Sequence, residues 1–380
     1  MIRLSILFFL VFFKTEAQTS VLNVADSLYI NGNYTKAIQQ YKNYYNQGEV
    51  FDKIAKAYIA IGNYDEALNN YEASIEANPE NTLIKYEYGK LLGVTKKYKE
   101  ASIVYTNLVN VDDKNPNYHY ELGLVLEQLK DSTAMNQFQF AYNLDETHQK
   151  AIYKIAKYYL QKRNHETVDK YADKGLETYP KNVELISLKA QNYYWQHDYR
   201  EAIKWFEKLI ELGEYSEFIY EKLSLSYVEH FNYEKALENR LMALKFKPND
   251  ASTKYVIGTY YLVLDDFENA EKYISQALLV LDQPLDAEYM KLGTVLNRQK
   301  KYKESIAALK TAIDENPSNE YAHFQLALTL ETYYADYDAK IKVYEDFKKK
   351  FPNSRINGFV DDKISRIKEE KFIKEGEKQD

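Results

Sequence analysis

Six histidines are the side chains of this sequence best suited to metal binding or to acid–base chemistry near neutral pH. None of them stands in an H-x-x-x-H or H-E-x-x-H arrangement, and the sequence contains no cysteine, so no metal site or thiol nucleophile is predicted. The adjacent carboxylates Asp265–Asp266 and Asp361–Asp362 cannot converge, because neighbouring residues face different sides of a helix. The histidines are His119, His148, His165, His197, His230 and His323. The sequence therefore predicts no cofactor, and a protein that is not an enzyme.

Glycine-rich phosphate loops and the G-x-S-x-G nucleophile elbow do not occur in the sequence either. The formal net charge is −7, and a nucleic-acid partner requires a basic surface. What remains for binding is aromatic, because 38 of the 380 residues are tyrosines. Rigid aromatic rings provide contact area at low entropic cost. Which rings share one face depends on the elements that carry them.

Small residues recur at an interval of about 34 residues, with successive gaps of 34, 33, 34, 34, 34, 34, 35 and 34. The members of this column B are Ala67, Ala101, Ala134, Val168, Ala202, Ala236, Ala270, Ser305 and Ala339, with an earlier copy at Ala37 and with Lys340 as the alternative to Ala339. A fixed period of this length indicates tandem helical repeats. The first copy is about four residues short near its end, between Tyr45 and Gly48.

A second small column, column A, lies about twelve residues before column B. Its members are Ala25, Ala55, Gly89, Gly123, Ala156, Ala190, Ser224, Gly258, Gly293 and Ala327. Small residues at two fixed places let two helices approach closely. The seven prolines fall in the joints between units, outside the predicted helices, where a proline would cost about 3 kcal/mol. Each unit therefore consists of helix A, a short turn, helix B and a joint.

The pattern resembles the tetratricopeptide repeat family. The second copy carries its aromatic, small and proline positions as Phe51, Ile54, Ala55, Tyr58, Ala67, Tyr71, Ser74 and Pro79. The ninth copy matches with Tyr289, Leu292, Gly293, Leu296, Ser305, Leu309, Ala312 and Pro317. Ten copies span residues 18–353. The resemblance implies an all-α, right-handed superhelical solenoid, and it implies no single function, because members of this family bind many unrelated partners.

Both ends of the chain differ from the repeats. Residues 1–17 begin with a basic start, continue with the apolar run Leu4–Phe13 and end at Ala17, which predicts a secretory signal peptide and a mature chain starting at Gln18. At the other end, residues 354–380 are predicted to form a capping helix and a loose tail. Ile356, Val360, Ile364 and Ile367 would form the apolar stripe that closes the array. A partner-binding helix is the alternative for this segment.

A second face of helix A is the candidate binding surface. When the column A residue is counted as position 8, positions 2, 5, 9 and 12 share one face, which lines the inner, concave surface in the family. The candidate residues are Tyr86, Lys90, Tyr120, Tyr153, Lys157, Gln191, Tyr194 and Tyr255, together with Trp195, which follows Tyr194 in the sequence. Lysines among aromatic rings suit an acidic peptide. The alternative is that the position-5 rings only pack and that the lysines form a solvated face.

The sequence thus predicts a non-enzymatic protein-interaction scaffold that is exported to the periplasm or cell envelope, or secreted, and that holds a partner segment in its groove. Removal of Arg3, Lys14 and Glu16 with the signal peptide takes away a net charge of +1 and leaves the mature chain at −7 − 1 = −8. The alternative function is glycan or cell-wall binding, with the aromatic rings stacked on sugars. No other apolar run approaches a membrane span, and neither the partner nor the oligomeric state is encoded in the pattern.

Overall fold

The computed structural model describes residues 21–280 and 285–376, with side chains described as far as residue 374. Over these ranges the regular structure is α-helical apart from one short 3₁₀ helix, and the described residues contain no strand. The predicted signal peptide at 1–17 lies outside the described residues. So do residues 377–380 of the predicted loose tail, whereas residues 374–376 belong to the last helix.

The described helices follow one another as ten A–B pairs and a final helix. The A helices are α1 (21–30), α3 (Phe51–Ala60), α5 (Thr82–Val94), α7 (Pro116–Gln128), α9 (Gln149–Gln161), α11 (Val183–Trp195), α13 (Glu217–Glu229), α15 (Ala251–Val263), α17 (Asp286–Arg298) and α19 (Glu320–Tyr333). The B helices are α2 (Tyr34–Lys42), α4 (Tyr64–Ala77), α6 (Tyr98–Val111), α8 (Ala134–Leu144), α10 (His165–Thr178), α12 (Tyr199–Glu211), α14 (Tyr233–Phe246), α16 (Phe267–Leu278), α18 (Tyr302–Glu315) and α20 (Tyr337–Lys350). The final helix is α21 (Asn357–Gly376). The prediction of an all-α helical-repeat solenoid with ten units is confirmed.

Most helices begin at a polar capping residue. The side chain of Asn63 accepts a hydrogen bond from the Glu66 backbone N–H at 3.3 Å, and Asp198 does the same for Glu201 at 3.1 Å. Each such bond satisfies one of the backbone donors left free at a helix start. Because Asn, Asp or Ser recurs at these places, the helix starts repeat with the sequence period.

The turn from helix A to helix B has one conformation in most units. In the third unit the Lys97 N–H donates to Leu92 O at 2.8 Å and the Lys96 N–H donates to Gly93 O at 3.1 Å, which is a Schellman motif. Its C′ residue must adopt a positive φ. Gly62 does so at +77°, whereas Lys96 does so at +61° despite its Cβ. Lys130, Arg163, His197, Phe231, Asp265 and Lys300 share this strained conformation.

Column B and the residue four places after it form the centre of each pair. Ala67, Ala101 and Ala202 are fully buried, and the large side chains that follow them pack beside the small residues of column A. The column B residue lies four places after the helix cap, as Ala67 follows Asn63 and Ala202 follows Asp198. In the tenth unit the cap is Asp336, which accepts from the Ala339 N–H, so Lys340 rather than Ala339 stands in column B. Ile341 is the buried residue beside it.

The two ends of the array depart from the repeat. Helix α2 has nine residues, whereas α4 and α6 have fourteen each, and a 3₁₀ helix at Gln47–Glu49 follows it. At the other end, α21 buries Val360 and Ile367 in a cluster with Tyr344 and Phe347 of α20. The apolar stripe expected from the sequence is therefore the side of α21 that packs.

Residue contacts divide the chain into two units, residues 1–188 and residues 189–380, and each is described separately below. Among the described residues, no helix combines the length and the apolar character needed to cross a membrane.

Candidate partner-binding surface

In residues 1–188, the position-5 tyrosines lie between helices rather than fully in solvent. Tyr86 is half-buried, and its ring meets that of Tyr105 edge-on at 6.0 Å between centroids. Its hydroxyl donates to Oε1 of Glu121 in the next unit at 3.2 Å. Burial, and then the charge of Glu121 and this hydrogen bond, raise the pKa of Tyr86 well above its usual range. Tyr86 therefore joins the third unit to the fourth.

Tyr120 is a packing residue. Only 9% of it is exposed, and its ring lies against Phe138 at 5.8 Å and His148 at 5.1 Å. Burial raises the pKa of its hydroxyl to about 12. The structure therefore places Tyr120 in packing contacts, as in the alternative stated for the position-5 rings, and little of its side chain is accessible. Tyr153 is only half-buried, so part of its side chain remains accessible.

The lysines of position 9 are exposed and lie over these rings. Lys90 Nζ is 5.7 Å from the ring centroid of Tyr86, and Lys157 Nζ is 5.5 Å from that of Tyr153. A cation over an aromatic face is attracted by the ring quadrupole. Lys90 also lies 3.7 Å from a carboxylate oxygen of Glu87. The position-9 lysines and position-5 tyrosines thus form two mixed cationic and aromatic contacts, in the third and fifth units.

A surface cavity of ≈ 430 Å³ opens beside Lys90, and Glu121, Glu127 and Lys154 contribute to its lining. Lys154 forms an ion pair with Glu127 at 2.5 Å. Burial raises the pKa of Glu121, although the Tyr86 hydroxyl and Lys90 act in the opposite direction. Charges of both signs therefore line this face.

A larger cavity of ≈ 720 Å³ was not anticipated from the sequence. Its lining is rich in amides and carboxylates, including Asn46, Asp52, Asn78 and Glu87. It lies at the end of the short first unit, where the 3₁₀ helix replaces the last turn of a full-length B helix. The four-residue shortfall near Tyr45–Gly48 was the signal that could have found it.

In residues 189–380, two predicted residues form an aromatic cluster. Tyr194 meets Trp195 edge-on at 5.4 Å between centroids, and 42% of Trp195 is exposed. Lys222 places its Nζ 5.1 Å from the Tyr194 ring and 5.9 Å from that of Phe218. Phe218 is 41% exposed. Phe218 and Lys222, both on α13, are not among the predicted residues, because their repeat has no tyrosine at position 5.

The remaining predicted residues are not part of that cluster. Gln191 is half-buried on α11, and Tyr255 packs on α15 against the core around Ala270 and Ile274. The second tryptophan, Trp205, lies on α12 with the Lys189 ammonium 4.9 Å from its ring centroid. Among the described residues, no group of three or more His, Asp or Glu side chains is placed to hold a metal ion.

The chain is similar to known tetratricopeptide repeat proteins. Family models described as "Tetratricopeptide repeat" match residues 58–122 and 255–320. A TPR repeat-containing protein, MJ1428, of Methanocaldococcus jannaschii is 27% identical over 186 residues, covering 46% of this chain and 32% of that protein. The human DnaJ homolog subfamily C member 3 is 21% identical over 294 residues, covering 76% of this chain and 53% of that protein. The chain thus spans about a third and about half of the length of these curated relatives.

Solved structures similar to the chain match it at low identity. A tetratricopeptide repeat protein from Parabacteroides merdae is 18% identical with a TM-score of 0.44, over 74% of this chain and 98% of that one. Yeast Tom70 is 14% identical with a TM-score of 0.37, over 95% and 97%.

The two family-model matches and the ten helix pairs agree: the chain is a tetratricopeptide repeat protein, as the sequence pattern predicted. This fold serves in general as a scaffold for protein–protein interaction.

Proposed function

We propose that the protein is a non-enzymatic scaffold of the cell envelope that binds a segment of a partner protein on the position-5, -9 and -12 face of its A helices. The observation that carries this proposal is the set of exposed side chains held against aromatic rings on that face. Lys157 over Tyr153 represents it in residues 1–188, and Trp195 beside Tyr194 represents it in residues 189–380. Exposed aromatic rings and cations that neighbours hold in place lose little entropy on binding.

The envelope location rests on residues 1–17. A basic start, ten apolar residues and a small residue at Ala17 are typical of an export signal. N-terminal sequencing of the protein purified from its native host tests this. A mature chain that begins at Gln18 and fractionates with the envelope supports the proposal, whereas a protein that keeps Met1 and stays in the cytosol would overturn it.

Photo-crosslinking in the native host tests the binding face. The photoreactive residue replaces Lys157 in one variant and Trp195 in another, and the control variant carries it at Lys204, an exposed residue of α12. Tyr120 is unsuitable as a probe position because it is buried. A discrete protein adduct from Lys157 or Trp195 that is absent from Lys204 supports the scaffold. Adducts from Lys204 alone would place binding on the opposite face.

Glycan binding is the second candidate, and the ≈ 720 Å³ cavity is the observation that favours it. Amide and carboxylate groups, such as those of Asn46, Asp52, Asn78 and Asn81, form hydrogen bonds with sugar hydroxyls, and exposed Leu83 adds an apolar wall. Retention of the purified protein on isolated cell-wall glycan, lost in an Asp52→Ala variant, would move the assignment to this candidate.

A further inference from the structure

Helix α14 departs from the core pattern at a single position. In six other units the residue four places after column B is large, apolar and at most 1% exposed: Tyr71, Tyr105, Phe138, Phe206, Ile274 and Leu309. The seventh unit has Arg240 at this position, and only 8% of Arg240 is exposed. Its counterpart at position 5 of α13 is Glu221, where the third, fourth, fifth and eighth units have tyrosine. A charged pair thus replaces an aromatic pair at one place in the array.

Arg240 and Glu221 are close enough for an ion pair but not for a hydrogen bond. Arg240 Nη1 lies 3.8 Å from Oε1 of Glu221, and Lys222 Nζ lies 3.9 Å from the same oxygen. Both distances exceed the roughly 2.7–3.2 Å of a hydrogen bond. Nε and Nη1 of Arg240 are buried, and neither has a hydrogen-bond partner among the described residues. Buried guanidinium nitrogens without hydrogen-bond partners are destabilising, because they have left water and gained no acceptor.

Two other carboxylates of this region have contacts of their own. The carboxylate of Asp250 caps α15 by accepting from the Thr253 N–H at 2.6 Å. Its pKa is lowered first by its hydrogen bond with Thr253, and the nearby charge of Arg240 adds to this. Glu217 is paired with Lys247 at 2.8 Å. Two hydrogen-bonding nitrogens of Arg240 are therefore unpartnered in this arrangement, and a rearranged Glu221 or an acceptor from outside the molecule could pair with them.

We propose that Arg240 and Lys222 form a receptor for a carboxylate of the partner segment, with Glu221 holding the two cations until that carboxylate arrives. A carboxylate at about 2.8 Å would make the charge-assisted, bidentate contacts that Arg favours and that Glu221 does not make at 3.8 Å. Lys222 Nζ lies over the rings of Tyr194 and Phe218, so a neighbouring apolar side chain of the segment has an aromatic surface to contact. This inference rests on the proposed scaffold function and specifies the chemistry of the partner.

Binding is measured on the mature chain, residues 18–380, labelled with ¹⁵N-arginine. The spectrum reports the Nε–Hε group of each arginine side chain. The resonance of Arg240 is identified as the one that is missing in the Arg240→Lys variant. The other arginines of the mature chain supply internal reference signals, and they are Arg163, Arg200, Arg298, Arg355 and Arg366.

The probes are blocked dipeptides: Ac-Phe-Glu-NH₂ carries a side-chain carboxylate, Ac-Phe-Gln-OH carries a C-terminal one, and Ac-Phe-Gln-NH₂ carries none. Sodium chloride at equal ionic strength is the salt control. A saturable shift of the Arg240 resonance with a carboxylate probe, absent with the neutral one, is the expected result. The two carboxylate probes distinguish an acidic side chain from a chain terminus.

Two single variants give the sign of the effect. Glu221→Gln removes the internal competitor for the cations, so the affinity for the carboxylate probe should rise by roughly fivefold, the equivalent of about 1 kcal/mol. Lys222→Gln removes one cation and should lower the affinity by a similar factor. No shift at Arg240, an equal shift with the neutral probe, or weaker binding by Glu221→Gln would each overturn the proposal.

The double variant Glu221→Tyr/Arg240→Phe restores the aromatic pair of the other units and separates binding from stability. Replacing a buried, poorly paired charge with apolar side chains is often neutral or stabilising. The unfolding midpoint should therefore hold or rise while the carboxylate response disappears. A marked fall in the midpoint would show that the pair serves the structure, and would overturn the proposal. If crosslinking from Trp195 persists unchanged in this double variant, the scaffold function is retained and the carboxylate site is rejected. If the unmodified protein binds the carboxylate probe but gives no partner adduct, the carboxylate site is retained and the scaffold function is rejected.

Discussion

Close approach of helices A and B at column A is most severe at Gly258, and substitution there should be costly. A Cβ on Gly258 would lie 2.6 Å from Cγ1 of Ile274, 3.0 Å from the Ile274 backbone N and 3.1 Å from the Ala270 backbone O. Ordinary van der Waals contact begins near 3.4 Å, so the shortest contact must open by 3.4 − 2.6 = 0.8 Å. The two contacts with the backbone of α16 must also open, by 3.4 − 3.0 = 0.4 Å and 3.4 − 3.1 = 0.3 Å, and no side-chain rotation can provide that part of the space.

The magnitude of Gly258→Ala follows from two opposing effects. Overpacking a close contact costs about 1–3 kcal/mol, and a contact with backbone belongs at the upper end of that range. Alanine recovers about 1 kcal/mol, because it is the better helix former. We expect a net loss of about 2 kcal/mol. Gly93→Ala is the matched control, since its Cβ would meet nothing within 4 Å, and this variant should gain up to about 1 kcal/mol.

Urea denaturation followed by circular dichroism, together with hydrogen exchange of α15 and α16, measures both variants. Exchange is needed because repeat arrays do not always unfold in one step, and it reports on the eighth unit directly. Gly123→Ala should fall between the two, because its Cβ would meet only ring atoms of Phe138, the nearest at 2.7 Å. If Gly258→Ala were as stable as Gly93→Ala, the reasoning that column A sets the distance between the helices would be wrong.

Three further predictions concern the turns, a buried carboxyl and the last helix. Lys96→Gly should stabilise the protein by up to about 1 kcal/mol, measured by urea denaturation, because glycine relieves the strain at φ +61°. Glu121→Gln should raise the unfolding midpoint at pH 7: burial raises the pKa of Glu121, so its charged form destabilises the fold above that pKa, and the gain should vanish as the pH falls below the unfolded value near 4.3. Ile367→Ala should cost about 2–4 kcal/mol and speed hydrogen exchange in α20, because Ile367 is buried against that helix; unchanged exchange there would mean that α21 does not close the array.

The architecture could be predicted because its determinants repeat. Gly123 and Gly258 are small because ring or backbone atoms of helix B lie within 3.2 Å of where their Cβ would be, and this requirement returns once per unit. The same holds for the helix caps, such as Asn63 and Asp198, which satisfy backbone donors at each helix start. A requirement that recurs at a fixed interval is visible in one sequence without any knowledge of the fold.

The binding surface could be predicted only in part, because the neighbouring side chains decide how much of a ring is exposed and what it contacts. Tyr86 and Tyr120 occupy the same position of successive units, yet Tyr86 reaches Glu121 with its hydroxyl whereas Tyr120 is enclosed by Phe138 and His148. No spacing distinguishes these outcomes. Positions where a unit departs from the repeat, such as the short first unit, indicated candidate sites that the repeat pattern did not.

Arg240 is the clearest such departure. It stands in a column where six other units have a large apolar residue, and its position could have been noticed by aligning the units. What the sequence could not provide is the distance from Arg240 to Glu221 and the burial of its nitrogen atoms, since both depend on how α13 and α14 pack.

Both tryptophans of the chain, Trp195 and Trp205, lie in the sixth unit, while the 38 tyrosines are spread along the sequence. Indole fluorescence is therefore a local signal from one repeat, and far-ultraviolet dichroism is a global one from all the helices. In an array where each unit contacts mainly its neighbours, the two signals coincide during unfolding only if cooperativity extends across the whole chain. Any separation between their midpoints would show that the sixth unit does not unfold together with the whole array.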